Sequence, residues 1–302
     1  VRSLCKKYRF SSLISFKMIV TLLKNVYKAE LVHIHLAREL IPIITAILCN
    51  VLRKNYVVQT HGMCVPKEDP MKRLIDIMLM KKLLNNAKVI FVLTNNEKMQ
   101  MNRFNLSPEL YILPNGIKEN IQTRQVRKSK YKNVVFCSRL HSQKGIFKFI
   151  ELAKFYENKL VNDTLLNFQI FGPDGGILEE VESHIAELKL RNLNKEIVAL
   201  ESGEVINLLK KTDVLVLPSF NDAFPMIVIE ALSVGTAILI TPSCGLSEMI
   251  SNFYPKFVAS SEEVSDICLA LEDILVSNPV DPSKLIQFAN DYFGITKVVN
   301  QL

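Results

Sequence analysis

The feature that most constrains the fold of this chain is the regular alternation of short apolar runs with longer helical patterns. Runs of about four to eight β-branched or apolar residues, bounded by turn residues, are typical of buried strands. Strands that alternate with helices form βαβ units and a mostly parallel sheet. The alternation therefore predicts an α/β protein.

Nine segments of the sequence have the strand pattern, four in the first half and five in the second. The predicted strands are Leu31 to His35, Tyr56 to Thr60, Val89 to Leu93, Tyr111 to Leu113, Asn133 to Cys137, Asn167 to Phe171, Ile197 to Leu200, Val214 to Leu217 and Ala237 to Ile240. The predicted helices include Gly145 to Asn158, Leu178 to Leu190 and Pro225 to Val234. Two further apolar runs, Ser11 to Leu23 and Leu40 to Leu52, fall short of the roughly 20 residues that span a membrane and are predicted to be core helices.

The two halves of the chain differ in charge. Residues 1–130 contain 23 Lys and Arg against 8 Asp and Glu, whereas residues 131–302 contain 14 against 22. The basic half favours an anionic membrane surface or an acidic acceptor as partner, with a solvated basic face as the alternative. No nucleic-acid partner is expected, because no aromatic stacking motif accompanies the basic residues.

A polar, basic segment from Glu119 to Lys132 lacks apolar periodicity and is predicted to link two domains. The predicted domains are residues 1–122 and 123–289, and residues 290–302 are predicted to form a C-terminal helix that packs back on the first domain. Six cysteines are scattered without C-x-x-C or other ligand spacing, which indicates a reducing, cytoplasmic location and no structural zinc.

Two basic residues, Arg139 and Lys144, follow a predicted strand and precede a predicted helix. Ligands of open α/β sheets bind beyond the carboxyl ends of the strands. A guanidinium, an ammonium and the free N–H groups of a helix start together suit a diphosphate. The alternative for this pair is a solvated basic loop.

Two carboxylates, Asp222 and Glu230, follow the predicted strand that ends at Leu217. Pro225 suits the first position of a helix, so Asp222 is expected in the loop and Glu230 inside the helix. Glu230 could bind the two hydroxyls of a ribose, or it could be an ordinary helix glutamate. Because its neighbours are apolar, its carboxylate needs a partner.

Three histidines lie near predicted strand ends in the first half. His33 and His35 alternate on one strand and so share a face, and His61 precedes Gly62 at the end of the next strand. Metal binding by the three is not favoured, since no carboxylate or cysteine has ligand spacing. His61 is the better candidate for a site residue.

Taken in order, several of these segments resemble the retaining GT-B glycosyltransferases of family 4, the glycosyl transferases group 1. The matching stretches are Leu-Val-His-Ile-His, Val-Gln-Thr-His-Gly, Leu-Pro-Asn-Gly, Ser-Arg-Leu with Lys-Gly, Ile-Phe-Gly-Pro, Asp-Val-Leu-Val-Leu-Pro-Ser through Asp222 and Glu230, and Cys-Gly-Leu-Ser-Glu. Single stretches are weak signals, but the ordered set over residues 30–250 is specific.

The resemblance implies two facing Rossmann-like domains, with a nucleotide-sugar donor held by the second and an acceptor by the first. It implies that Arg139 and Lys144 neutralise the donor diphosphate, that Glu230 holds the ribose, and that Asp222 and His61 act beside the donor sugar. Three residues between the carboxylates complete the expected donor site, namely Phe224, Pro225 and Met226. No metal and no cofactor besides the donor is expected, and the sequence contains no Asp-x-Asp.

The sequence departs from the family pattern at several positions. Asp222 is one methylene shorter than the usual glutamate, Ser138 replaces a glycine, and Lys118 stands where the family often has Asp. The first recognisable strand begins at Leu31, so the first domain is expected to be incomplete.

The function expected from this resemblance is transfer of a sugar to a polysaccharide or lipid-linked saccharide, with retention and at the inner face of the plasma membrane. Two alternatives stay open, a nucleotide-sugar epimerase and a non-catalytic nucleotide-sugar binder. A nicotinamide dehydrogenase is excluded, because no strand is followed by G-x-G-x-x-G.

Overall fold

A computed structural model describes residues 15–66, 76–119, 130–276 and 280–301. The chain divides into two compact units, Val1–Pro114 and Asn115–Leu302. Most of the predicted linker lies outside the described residues, so the predicted domain boundary at residue 122 stays a prediction. The same holds for the predicted packing of residues 290–302 on the first domain. No described helix is both long and apolar enough to cross a bilayer.

The first unit is a parallel sheet with helical connections. Its elements are α1 (Phe16–Lys28), β1 (Leu31–His35), α2 (Leu40–Val51), β2 (Asn55–Gln59), a π-helical turn (Asp76–Met80) leading into α3 (Lys81–Asn85), β3 (Ile90–Val92), α4 (Asn95–Met101), a 3-10 turn (Asn102–Phe104) and β4 (Leu110–Ile112). The strands pair in the order β1-β2-β3-β4, all parallel. The four strands predicted here are confirmed, with ends that differ by one residue at most.

The core of the first unit lies where α2 and α3 cover the sheet. Tyr56, Val58 and Ile90 are fully buried on the sheet, and the Tyr56 hydroxyl donates to the Leu83 carbonyl oxygen at 2.6 Å. The prediction of a core helix before residue 23 is wrong for the described part of that segment, because α1 buries only Val26. Its apolar residues alternate with lysines, so the helix has one face toward the unit and the other toward solvent.

The second unit is a larger α/β unit. Its elements are β5 (Tyr131–Cys137), a 3-10 turn (Ser142–Lys144), α5 (Ile146–Phe155), β6 (Leu160–Val161), β7 (Thr164–Phe171), α6 (Leu178–Leu188), β8 (Leu193–Glu196), α7 (Ser202–Lys211), β9 (Val214–Leu217), α8 (Met226–Ser233), β10 (Ala237–Ile240), α9 (Ser247–Phe253), a 3-10 turn (Pro255–Phe257), α10 (Val264–Val276), α11 (Pro282–Phe293) and α12 (Ile295–Val299).

The strand order of the second unit reverses direction at β5. The sheet runs β10-β9-β5-β7, with β8 parallel and β6 antiparallel on the far side of β7. The chain therefore builds outward from β5 through β7 and β8, then returns to the other side of β5 for β9 and β10. The loops that follow β5 and β9 therefore lie on the two sides of a switch point, and such a switch point provides a crevice at the carboxyl edge of the sheet.

Two sequence predictions in this unit are wrong in detail. No strand forms over Ile197 to Leu200; the strand is β8, four residues earlier, and it pairs with Phe168 to Phe171. β8 lies at the sheet edge with mostly exposed polar side chains, so it has no apolar run to reveal it. Pro225 precedes α8 as an extended cap residue (φ −72°, ψ 107°) and is not its first helical residue.

Candidate functional site

The loops after β5 and β9 meet at the switch point. The backbone N–H of Phe220 donates to the carbonyl oxygen of Gln143 at 2.7 Å, so each loop holds the other. The β5 loop ends in the 3-10 turn and Gly145, and α5 begins directly after it. This arrangement brings both predicted basic residues and both predicted carboxylates to one edge of the sheet.

Glycine allows the close approach of these loops. Gly145 has φ +75°, and a Cβ atom there would lie 1.8 Å from the carbonyl oxygen of Pro218. At Gly245, a Cβ atom would lie 2.0 Å from the carbonyl oxygen of Ala223. Real side chains do not tolerate such contacts, so the edge of the crevice is formed by main chain against main chain.

Arg139 lies at the start of the β5 loop, and its side chain is exposed. Its backbone is fixed by the neighbouring Leu140, whose N–H donates to the Pro173 carbonyl oxygen at 2.9 Å. Within the part of the chain that the structure describes, the guanidinium makes no hydrogen bond or ion pair. Arg139 therefore offers a full set of donors to a ligand.

Lys144, at the end of the same loop, is paired with Asp222 of the β9 loop. The Lys144 Nζ atom lies 2.5 Å from Asp222 Oδ2, and the two side chains are 25% and 13% exposed. The structure thus joins two predicted site residues that stand 78 positions apart. The charge of Lys144 is balanced by Asp222 before any ligand binds.

Glu230 lies in α8 among buried apolar residues such as Val228, Ile229 and Ala231. Burial raises the pKa of its carboxyl group above the usual value of 4.5. The pKa of the Cys137 thiol is raised to about 11, first by burial of the thiol and then by the charge of Glu230. The Glu230 carboxylate therefore lies near the end of β5. No hydrogen-bond partner of the carboxylate exists among the described residues. The predicted need for a partner is therefore not met within those residues.

The three residues between the carboxylates are packed inward to different degrees. Phe224 is 8% exposed, and its ring meets the ring of Phe293 edge-on at 5.9 Å. Pro225 is buried as the cap of α8, and Met226 is half-buried as its first residue. Because the Phe224 ring is buried, a contact of Phe224 with the donor would have to come from its backbone. The assignment of all three residues to the donor site stays a prediction.

His61 lies in the first unit, directly after β2. Its backbone is left-handed (φ 48°), and its Nε2 atom lies 2.6 Å from Nδ1 of His35. The His33 and His35 rings stack with their centroids 4.8 Å apart, whereas the His35 and His61 rings lie edge to edge with their centroids 4.9 Å apart. Burial, then the charge of His35 and then that of His33, lowers the pKa of His61, which keeps the imidazole neutral near pH 7. No group of three His, Cys, Asp or Glu side chains in the described ranges is arranged to hold a metal ion.

One residue of this region escaped the sequence analysis. Glu97 of α4 is 4% exposed, and its carboxylate accepts hydrogen bonds from the loop that carries His61. The only signal in the sequence is a Thr94-x-x-Glu97 spacing, which is typical of a helix start and points to no further role.

Comparison with known proteins identifies two family matches. Residues 117–291 match the family described as glycosyl transferases group 1. Residues 2–120 match the family described as glycosyltransferase family 4.

Individual relatives agree with these matches. An uncharacterized glycosyltransferase of Methanocaldococcus jannaschii is 23% identical over 92% of this chain and 78% of its own length. The N,N'-diacetylbacillosaminyl-diphospho-undecaprenol alpha-1,3-N-acetylgalactosaminyltransferase of Campylobacter jejuni is 29% identical over 46% of this chain and 35% of its own length. The crystal structure of Anabaena HepE in complex with UDP and glucose superimposes with a TM-score of 0.77 at 15% identity, covering 94% of this chain and 79% of that chain. The predicted α/β fold of GT-B type is thereby confirmed.

Proposed function

The chain belongs to the glycosyl transferases group 1, and on that premise we propose that it transfers a sugar from a nucleotide-diphosphate sugar to a saccharide carried on a lipid diphosphate. The observation that carries the proposal is that the second unit holds, near its switch point, a guanidinium, Arg139, and a half-buried carboxylate, Glu230, and that neither group has a partner among the described residues. One group suits a diphosphate and the other a ribose diol. A nucleotide sugar contains both.

The diphosphate is proposed to bind Arg139, Lys144 and the start of α5. The guanidinium presents a planar fork of donors to phosphate oxygens, and the ammonium adds a point charge. The first turn of α5 adds free backbone N–H groups and the positive end of the helix dipole. Arg139 and the helix start are in place before the donor binds, whereas Lys144 must first leave Asp222; once bound to the diphosphate, all three cost no further reorganisation when the phosphate develops negative charge.

Departure of the nucleoside diphosphate is the step that these residues assist. When the bond from the anomeric carbon to the phosphate oxygen breaks, its electron pair stays on that oxygen. Arg139 and Lys144 stabilise the new charge, which lowers the barrier to bond breaking. We propose that the anomeric configuration is retained and that this charge stabilisation needs no metal.

Asp222 is proposed to bind the donor sugar once Lys144 has turned to the diphosphate. A carboxylate accepts hydrogen bonds only, so it suits sugar hydroxyl groups. The diphosphate competes with Asp222 for Lys144, and the sugar hydroxyls replace the ammonium at Asp222. His61, held neutral, is proposed to lie beside the same sugar.

The acceptor is proposed to be a sugar on a polyprenyl diphosphate. The names of relatives support this class, since the Campylobacter jejuni enzyme is named for a saccharide on diphospho-undecaprenol. Such an acceptor stays in a membrane, so the enzyme must work at its surface. We propose the cytoplasmic side, where nucleotide sugars are made.

The basic first half is proposed to contact that membrane. Helix α1 carries Lys17, Lys24 and Lys28 beside exposed apolar side chains, of which Phe16 is 77% and Tyr27 is 67% exposed. Apolar side chains inserted among lipid headgroups, with lysines beside anionic lipids, are the usual basis of interfacial binding. Sedimentation with phosphatidylglycerol vesicles, compared with phosphatidylcholine vesicles, tests this contact. A variant with all three lysines changed to Glu is expected to lose binding to the anionic vesicles.

A panel of UDP-, GDP- and ADP-sugars tests the proposed reaction. One nucleotide is expected to raise the melting temperature. Its sugar is expected to be transferred to a synthetic prenyl-diphosphate-linked N-acetylhexosamine, with release of the nucleoside diphosphate. A protein that neither binds nor consumes any nucleotide sugar would contradict the proposal. If the protein isomerises the sugar of the nucleotide sugar and transfers no sugar to the acceptor, it would instead be an epimerase.

A further inference from the structure

The turn that carries His61 is held in a conformation that most residues avoid. At φ 48°, the backbone of a residue with a Cβ atom is disfavoured by about 1 kcal/mol. Such a conformation persists only where neighbouring groups impose it, and it is common at functional sites. The groups that impose it here belong to three different elements of the first unit.

The first of these groups is the buried carboxylate of Glu97. Its Oε1 atom accepts from the Thr60 hydroxyl at 2.5 Å and from the Gly62 N–H at 2.6 Å, on the two sides of His61. Its Oε2 atom accepts from the Leu93 N–H at 2.8 Å, at the end of β3. One side chain thus ties the His61 turn to the neighbouring strand.

The second group is the guanidinium of Arg38, which follows β1. It donates to the carbonyl oxygens of Met63, Cys64 and Val65, with the bond to Val65 at 2.6 Å. These carbonyls belong to the second part of the turn. Glu97 therefore binds the N–H side of the turn, and Arg38 binds its carbonyl side.

The third group is the imidazole of His35, which fixes the His61 ring itself. Nδ1 of His35 and Nε2 of His61 are 2.6 Å apart, so one of the two nitrogens donates and the other accepts. With centroids 4.9 Å apart and planes 18° apart, the two rings lie edge to edge in nearly one plane, and the hydrogen bond between them restricts rotation of the His61 ring about its χ2 torsion. The other ring nitrogen of His61, Nδ1, has no hydrogen-bond partner among the described residues and is available to a ligand.

We propose that Glu97 and His35 are positioning residues that fix the backbone and the ring of His61 for sugar transfer. This inference rests on the proposed glycosyltransferase function and on the proposed place of His61 beside the donor sugar. Neither residue needs to touch the sugar. Their effect passes through the His61 imidazole.

The Glu97 carboxylate accepts more hydrogen bonds than the capping of a helix start requires. A capping side chain bonds the start of its own helix, as Glu97 does at the Leu93 N–H, whereas its bonds to Thr60 and Gly62 join α4 to the turn after β2. In the described residues the carboxylate is held by neutral donors and pairs with no cation. A buried charge without a counter-ion is costly. A Gln at position 97 would lose the hydrogen bond from the Leu93 N–H, because its amide NH2 would face that donor.

The test compares four variants of the full chain in steady-state transfer from the sugar nucleotide that the panel identifies. Glu97→Gln and His35→Ala are expected to lower kcat by about tenfold or more, since small errors in placing a reacting group are costly. The KM for the nucleotide sugar and its effect on the melting temperature should stay near wild type, because the donor residues belong to the second unit. His35→Asn, whose amide can replace Nδ1, is expected to recover most of the rate lost in His35→Ala. His33→Ala is the matched control, since its ring stacks on His35 but does not bond His61.

The outcomes separate this inference from the proposed function. A wild-type protein without activity toward any nucleotide sugar would remove the proposed function. A wild-type protein that turns over, with Glu97→Gln and His35→Ala at the wild-type kcat, would overturn the positioning role alone. A fall in Glu97→Gln that is as large in a His61→Ala background as in wild type would also overturn it, because that loss does not act through the His61 ring.

Discussion

Lys144 and Asp222 form an ion pair within the proposed donor site, with Nζ 2.5 Å from Oδ2. The partners come from the loops after β5 and β9, so the pair joins the two sides of the switch point. Because both side chains are largely buried, solvent screens the pair less than it would at an open surface. In the proposed mode of donor binding, Asp222 and the diphosphate therefore compete for Lys144.

Replacing Asp222 tests this competition. Asp222→Asn removes the charge that balances Lys144, so the affinity for the free nucleoside diphosphate is expected to rise by about threefold to tenfold, which corresponds to roughly 1 kcal/mol. Transfer of the sugar should slow, since a hydrogen-bond acceptor for its hydroxyls is weakened. Titration calorimetry measures the affinity. Lys144→Met is the control, with weaker binding expected, and an unchanged affinity in Asp222→Asn would show that no competition exists.

Arg139 is expected to supply the strongest phosphate contact. Arg139→Ala should lower nucleoside diphosphate affinity by about tenfold to a hundredfold, the value of a hydrogen-bonded charged contact. The rise in melting temperature with the nucleotide should nearly disappear. Arg139→Lys should restore a part of it, because an ammonium keeps the charge but not the planar fork. Equal thermal responses of wild type and Arg139→Ala would remove Arg139 from the site.

The carboxyl group of Glu230 should make donor binding sensitive to acid. Burial raises its pKa above 4.5, so it takes up a proton at a higher pH than an exposed glutamate. The protonated form cannot accept two ribose hydroxyls as the carboxylate does, and affinity should fall as the pH drops from 7 toward 5. A nucleotide sugar is the proper ligand, since its diphosphate does not titrate in this range. The Glu230→Gln variant should bind the nucleotide sugar weakly, with an affinity that does not change between pH 7 and 5. If its affinity falls with pH as steeply as that of wild type, another group causes the pH dependence.

The contact of Gly145 with Pro218 predicts a strong effect of one methyl group. Gly145→Ala combines φ +75° with a Cβ atom 1.8 Å from a carbonyl oxygen, so the loops must separate. The second unit should lose about 2 kcal/mol or more, seen as a fall in melting temperature of roughly 5 °C, and diphosphate affinity should fall as well. Gly203→Ala in α7 is the control, because its Cβ would meet nothing within 4 Å. Similar stabilities of the two variants would contradict the close approach.

The cluster of His33, His35 and His61 should make the first unit less stable in mild acid. Burial lowers the pKa of His33 and His61, with the charge of His35 adding to both. The folded form then binds fewer protons than the unfolded form, so stability is lost as the pH falls below the unfolded value of 6.5. Melting temperatures from pH 7.5 to 5.5 should show a steeper decline for wild type than for a His33→Asn, His61→Asn variant. Parallel curves would exclude these two groups as the cause.

The sequence was most informative about buried parallel strands. β9 and β10 have the predicted bounds because each is an uninterrupted apolar run, and such runs arise where both faces of a strand are covered. β8 was missed because an edge strand needs no apolar residues, and its polar side chains are those of a loop. Hydrogen bonding to β7 defines it, and that partner is distant in the sequence.

The candidate site was predictable as a set of residues but not as a set of contacts. The positions of Arg139, Lys144, Asp222 and Glu230 after strands placed them at the same edge of one sheet. The pairing of Lys144 with Asp222 depends on how two loops pack, and local sequence does not encode it. The contribution of Glu97 was hidden for a similar reason, since its bonds to Thr60 and Gly62 span 37 and 35 positions, which no helix pattern contains.

The main-chain contacts at Gly145 and Gly245 also bear on how such a site can diversify. Because backbone atoms set the width of the crevice, the side chains that line it can be exchanged without altering its outline. Selection for a new donor can thus act on exposed loop positions such as Phe220, one at a time, while the two glycines stay fixed. In a library of variants of this chain, we expect tolerance to concentrate at those positions and to vanish at both glycines.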